Sequence, residues 1–187
     1  MEKEILKAFE VLKSGGIILY PTDTIWGIGC DATNEKATKR IYELKKRSDT
    51  KSMILLLDNE MKLQSYIREV PENAYDLIEY SEKPLTIIYD DAKNLAPNVI
   101  AEDGSVGIRI TKDPFCKKLL ERFRKPITST SANISGQNPP GNFSEITEEI
   151  KSGVDYIVDL RQEEYSVNLP STIIRLKTNG EIKFIRK

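Results

Sequence analysis

The stretch IILYPTDTIWGIGCDATN, Ile17 to Asn34, decides the fold. Within it Gly27-Ile28-Gly29-Cys30-Asp31-Ala32 fits GxGxxA, and Asp49 lies about 20 residues on, which is the spacing of a dinucleotide-binding fingerprint. That fingerprint requires the glycines to open a helix immediately after a strand. Here IILY (17–20) reads as the buried strand and Pro21 ends it. Residues 21–26 then intervene, and the next helix starts near Asn34. A nicotinamide or flavin fold is therefore set aside. What remains is a strand followed by PTDT (21–24), with Thr22 and Thr24 on one side of an extended segment. Hydroxyls at the carboxyl end of a strand sit where ligands bind in open α/β sheets. A turn with local threonine hydrogen bonds reads the same residues equally well.

Outward from this stretch, strands and helices alternate. Ile5, Leu6, Phe9 and Leu12 recur at helical spacing, and Gly15 stops that helix. Ala37, Ile41 and Leu44 mark a second helix that runs into KKR (45–47). MILLL (53–57), PLTIIY (84–89) and SVGIRI (105–110) read as strands, with short helices around 63–67 and 74–79 and a loop over 90–98. Asp113-Pro114 caps and starts a helix through Phe123. PITSTS (126–131) starts as a strand, and Ser144 caps a short helix with Glu145 and Glu148 near its positive end. YIVDL (156–160) is a strand, and STIIRL (171–176) and EIKFIR (181–186) flank Asn179-Gly180, a hairpin signal. The pattern is one α/β domain over 1–187 with a mixed sheet and flanking helices.

Composition excludes much. Hydrophobic residues are 39% and charged residues 30% of 187, a globular profile. No apolar run approaches the roughly 20 residues of a membrane span, and the N-terminus lacks the order of a signal peptide, so a cytoplasmic location is expected. There is no histidine, which removes Ser-His-Asp and Cys-His catalysis and histidine-ligated metals. The two cysteines, Cys30 and Cys116, are too few for a cysteine zinc site or a disulfide framework. Ser48-Asp49-Thr50-Lys51 with Ser131-Ala132-Asn133 matches two motifs of serine β-lactamases, but Lys177-Thr178-Asn179 fails as the third. Chemistry must therefore use carboxylates, amines, hydroxyls, backbone groups or a hard cation.

Charge is uneven. Segments 36–51 and 112–125 are basic and segment 58–103 is acidic. The basic segments suit a nucleotide or RNA backbone, or are simply solvated helix faces. KKRSDTK (45–51) gathers cations between a helix end and a strand, and a polyphosphate needs such convergence. Arg109 stands out. In SVGIRI, Val106, Ile108 and Ile110 line one face, whereas Gly107 and Arg109 take the other. A buried unpaired guanidinium costs several kcal/mol, so it needs an exit to water or a partner, either an internal carboxylate or a bound anion. In TSTSAN (128–133), Thr128 and Thr130 alternate with Ser129 and Ser131. One pair can face a cavity while the other faces packing or loop backbone; set beside PTDT, Arg109 and the KKR cluster, the serines are expected to face a ligand and the threonines to serve structure.

GGIILYPTDTIWGIGCDA (15–32), KKRSDTKSMILLL (45–57), PLTIIY, SVGIRI, PITSTSANISGQ (126–137) and PSTII (170–174) together resemble the YrdC/TsaC family, the threonylcarbamoyl-AMP synthases of tRNA modification. The resemblance implies a twisted α/β sheet around a concave, positively charged cavity. It implies a nucleotidyltransferase that joins L-threonine, bicarbonate or CO2, and ATP into L-threonylcarbamoyl-adenylate and pyrophosphate. Partner transferase proteins then carry the group to adenosine 37 of tRNA. By the resemblance, Arg47 and Lys51 hold the ATP phosphates together with Mg²⁺. Thr24, Arg109, Ser129 and Ser171 hold threonine, with Arg109 on its carboxylate. Ser105, Ser131, Asn133 and Arg186 complete the ATP site. Ser48 and Ser52 replace two prolines usual around the cation cluster, and Trp26 replaces a tyrosine. One alternative is a tRNA- or double-stranded-RNA-binding module, against which stand the acidic pI of 5.8 and the lack of an RNA-binding signature. Another is carbamoyl-phosphate adenylation, as in hydrogenase maturation proteins, whose zinc-finger cysteines are missing here.

Overall fold

The computed structural model describes residues 1–47, 53–164 and 170–186. Among these residues nine strands form one mixed sheet in the order β7-β1-β2-β6-β3-β5-β4-β8-β9. They are β1 Ile18–Tyr20, β2 Gly27–Gly29, β3 Ile54–Leu57, β4 Leu85–Tyr89, β5 Val106–Ile110, β6 Ile127–Ser131, β7 Tyr156–Ile157, β8 Thr172–Leu176 and β9 Ile182–Arg186. The helices are α1 Glu2–Lys13, α2 Glu35–Leu44, α3 Leu63–Tyr66, α4 Asn73–Glu79, α5 Pro114–Phe123 and α6 Glu148–Gly153.

Alternation along the strands divides the core into two layers. Ile17 and Leu19 of the first strand region join Leu55 and Leu57 of β3 in one cluster with Ala37 and Ile41 of α2. Ile18, Tyr20 and Leu56 point the other way and pack on Ile5 and Leu12 of α1 and Leu119 and Leu120 of α5. Each of these fully buried aliphatic side chains contributes on the order of 1.5–3 kcal/mol. Around β1 and β3 the sheet is thus covered on both faces, as mixed α/β sheets are, whereas β9 at its edge is exposed.

Local signals act as expected at several ends. The Asn34 side chain accepts from Ala37 N–H at the start of α2, and the Asp113 side chain accepts from Cys116 N–H at the start of α5, with Pro114 first in the helix. Gly180, at φ 84°, turns the chain between β8 and β9. Other expectations need correction. The second helix stops at Leu44 instead of running into KKR, because Lys46 adopts φ 49° and reverses the chain. Asn142, not Ser144, caps a short 3-10 turn over Phe143–Glu145, and α6 follows Thr147. The strand expected over 156–160 forms a ladder only at Tyr156–Ile157.

The expected fingerprint region holds β2, which pairs antiparallel with β1 on one side and with β6 on the other. Gly29 serves close packing, whereas Gly27 borders the cavity described below. A Cβ on Gly29 would lie 2.4 Å from the Thr128 carbonyl oxygen and 2.8 Å from the Tyr20 ring. Only glycine lets these three strands meet at that point.

Candidate active site

A cavity of about 280 Å³ opens where PTDT, β5, β6 and the C-terminal strands converge. The side chains that define it are Thr24, Arg47, Arg109, Ser129, Ser131 and Arg186, with Trp26, Thr130 and Ser171 also in its wall. Seven residues expected from the sequence thus come together, from six separate segments. Their topology explains this: β5 and β6 flank β3, and the segment after β1 reaches over them.

Arg109 is 3% exposed and points off the apolar face of β5. Its Nη1 donates to Thr24 Oγ1 at 3.2 Å, and its Nη2 lies 3.2 Å from Asp23 Oδ1. The ion pair answers the charge but not the geometry. Arg109 Nε and Nη2 and Asp23 Oδ1 are all buried without a well-aligned hydrogen bond. The internal carboxylate expected of Arg109 is therefore present, and its Nε and Nη2 keep hydrogen-bonding capacity. Thr24 is held ready by Thr22: the two hydroxyl oxygens are 3.0 Å apart, Thr24 N–H donates to Thr22 Oγ1, and Thr22 donates to the Ile25 carbonyl. The bland turn and the ligand-facing hydroxyl thus belong to one structure, Thr22 making the turn and Thr24 lining the cavity.

Arg47 Nη1 lies 3.4 Å from Thr130 Oγ1, and its burial lowers the guanidinium pKa. Arg186 donates through Nε at 3.1 Å and Nη2 at 2.8 Å to the Ser171 carbonyl, so β9 is docked at its end and not frayed. Burial and the neighbouring Arg109 charge lower its pKa. Ser171 Oγ and Thr86 Oγ1 are 2.8 Å apart. Three guanidiniums around one cavity, with one nearby carboxylate, form a site for an anion.

On β6 the expected alternation holds at three positions and fails at one. Thr128 is structural: its hydroxyl accepts from Cys30 N–H at 3.0 Å, and its carbonyl accepts from the Tyr20 hydroxyl at 3.0 Å. Ser129 and Ser131 line the cavity. Thr130, expected to serve structure alone, also lines it and meets Arg47. Two other residues lie outside the wall. The Ser105 hydroxyl donates to Asp103 at 2.6 Å at the far end of β5. The Asn133 amide donates to the Ile134 and Gln137 carbonyls and shapes the turn after β6, while its Oδ1 is buried without a partner. Lys51, with Ser48 and Ser52, lies outside the described residues.

Sequence reading did not separate Lys45 from its exposed neighbours. It is 1% exposed, and its ammonium donates to the carbonyls of Ser131 and Asn133, the latter at 2.6 Å. Ser135 N–H donates back to the Lys45 carbonyl at 2.8 Å. The helix end therefore clamps the TSTSAN turn from behind. Burial, then the neighbouring Arg47 charge, pushes the Lys45 pKa down to about 8. A run of three cations gives no sign of which one turns inward; the reversal at Lys46 decides it.

No group of three or more metal-ligating side chains occurs among the described residues. The cavity's arginines and hydroxyls fit phosphate and carboxylate oxygens, not a bare divalent cation. Nor is any described helix long and apolar enough to cross a membrane.

Comparison with known proteins gives the family. The Sua5/YciO/YrdC family model, described as telomere recombination, matches residues 10–187. The threonylcarbamoyl-AMP synthase of Pseudoalteromonas translucida is 31% identical over 184 residues, covering 97% of each chain. A putative threonylcarbamoyl-AMP synthase of Methanocaldococcus jannaschii is 35% identical over 182 residues, covering 94% of this chain and 84% of its own length. Among solved structures, Sua5 of P. abyssi complexed with L-threonine superposes with a TM-score of 0.86 at 29% identity over 94% of this chain. This chain spans about half of that protein, 52% of its length. YciO of E. coli shares the fold, with a TM-score of 0.83 at 24% identity, covering 100% of this chain and 90% of YciO.

Proposed function

Since the chain belongs to the Sua5/YciO/YrdC family, we propose that it is a threonylcarbamoyl-AMP synthase acting in tRNA modification. The observation that carries the reading is the cavity itself. Arg109, incompletely hydrogen-bonded beside Thr24, shares one space with Arg47, Arg186 and the serine edge of β6.

Each residue then has a task. Arg109 receives the carboxylate of L-threonine on its free N–H edge, and Thr24 and Ser129 hold the amino acid beside it. Bicarbonate or CO2 gives the amine a carbamate, whose oxygen attacks the α-phosphorus of ATP while pyrophosphate leaves. Arg47 and Arg186, with Lys51, hold the triphosphate and offset charge that develops on the leaving oxygens. Ser131 contacts the nucleotide. Lys45 positions the wall that carries these hydroxyls, as does Asn133. Mg²⁺ would enter with the nucleotide and offset part of its charge beside Arg47, Arg186 and Lys51. No side-chain nucleophile is needed, so the missing histidine is no obstacle; positioning and electrostatics carry the step. The product is a reactive mixed anhydride, and a separate transferase must pass its acyl group to tRNA.

Calorimetry tests the assignment of subsites. L-threonine should bind wild-type protein and fail to bind Arg109→Ala, while ATP binds both. Loss of ATP binding with threonine binding intact would exchange the roles of the arginines and overturn the assignment.

A further inference from the structure

A second cavity, of about 260 Å³, shares no lining residue with the first, yet the two meet through one ion pair. Asp23 lines the second cavity and Arg109 lines the first, with Asp23 Oδ1 3.2 Å from Arg109 Nη2. Among the described residues nothing hydrogen-bonds the Asp23 carboxylate, although its side chain is only 15% exposed. A half-buried carboxylate held by one misaligned partner has acceptor capacity left over.

The rest of the second cavity shows what that capacity suits. Ile78, Leu85 and Ile110 give it an apolar floor. Lys83 and Lys112 stand at the rim, and Lys112 Nζ is pinned to the Ser81 carbonyl at 2.6 Å. Glu82 brings the lining to two carboxylates and two ammoniums. A bare cation would meet the lysines and a bare anion would meet Asp23, so a net-neutral molecule carrying both charges suffers neither repulsion. The volume falls just below the roughly 300–1,000 Å³ of drug-sized sites, which leaves room for a single amino acid.

We propose that the second cavity binds an apolar α-amino acid, with its ammonium toward Asp23, its carboxylate toward Lys83 and Lys112, and its side chain on Ile78, Leu85 and Ile110. Binding draws Asp23 away from Arg109 and tightens the first cavity's hold on its carboxylate ligand. By linkage the effect is reciprocal: an occupied first cavity tightens the second. The site stands on its own geometry, whereas its coupling rests on the reading that Arg109 holds the carboxylate of L-threonine.

The test uses L-leucine as probe, with isopentylamine and isocaproate as single-charge controls, read by amide shifts and calorimetry on the full chain. Leucine should bind saturably in the millimolar range and shift the amides of Ile78, Leu85 and Ile110. Each control, and leucine with Lys83→Glu, should bind at least about tenfold more weakly, because one charge pair is missing. Leucine should also lower the Kd for L-threonine about fivefold, the low end of measured couplings. No saturable leucine binding, or equal binding of isopentylamine, overturns the site. An unchanged threonine Kd overturns the coupling. If threonine fails to bind at all while leucine still shifts those three amides, the Arg109 reading falls and the second site stands.

Discussion

Arg109 concentrates the chemistry of the molecule at one guanidinium. Its alternation in SVGIRI already showed it turned away from the apolar face, and a buried arginine needs a partner. Arg109→Lys keeps the charge and loses the fork. We expect the KM for L-threonine to rise on the order of tenfold to a hundredfold, matching the roughly 1.5–3 kcal/mol of a charge-assisted hydrogen bond, with the melting temperature little changed. An unchanged KM would remove Arg109 from the threonine subsite. Lys45 gives a second test. The unfolded lysine keeps its proton to 10.5, while the folded one loses it near about 8. Between these values unfolding takes up a proton, so this group makes stability rise with pH across that window. Lys45→Met should lack that rise when denaturation curves of the two proteins are compared from pH 8 to 10.5; parallel curves would show that the ammonium is not buried as described.

At the scale of elements, β6 separates structure from function by alternate residues. Thr128→Val leaves Cys30 N–H without its acceptor inside the core and should cost about 1–3 kcal/mol in chemical denaturation, with kcat held in the surviving protein. Ser129→Ala should do the reverse, lowering turnover at unchanged stability. Matching losses for both variants would mean that the strand register is wrong. In β2, Gly29→Ala drives a methyl group into the Thr128 carbonyl and the Tyr20 ring, and should lower stability by roughly 1–3 kcal/mol in thermal melts. These elements also show what sequence can reveal. PTDT, Arg109 and the serine edge were legible because period-two alternation fixes side-chain direction before any tertiary contact is known. The three-residue β2 was hidden because its glycines carry no strand propensity, and only the Tyr20 ring and the Thr128 carbonyl explain Gly29. Thr130 was read as structural because alternation says nothing of a neighbour such as Arg47 arriving from another segment.

The whole molecule places the ends of distant segments at one cavity. Helices cover both faces of the sheet around β1 and β3, β9 at the edge is exposed, and PTDT, β5, β6 and β9 contribute side chains where they converge. Alternating strands and helices, the final hairpin and the covered sheet were readable from apolar periodicity. The depth of Lys45 and the bridge from Asp23 to Arg109 were not, since both depend on which loops fold over which strands. Ser105 was carried over by likeness alone, and the structure sets it at the far end of β5, bonded to Asp103. The central claim is that this cavity joins an amino acid, a one-carbon unit and a nucleotide in one condensation. The most direct measurement is pyrophosphate release by the purified chain with Mg²⁺ and ATP, adding L-threonine and bicarbonate singly and together. The account predicts release only when both are present, with threonylcarbamoyl-adenylate formed in equal amount. Release that ignores either co-substrate, or no release with both, would contradict it.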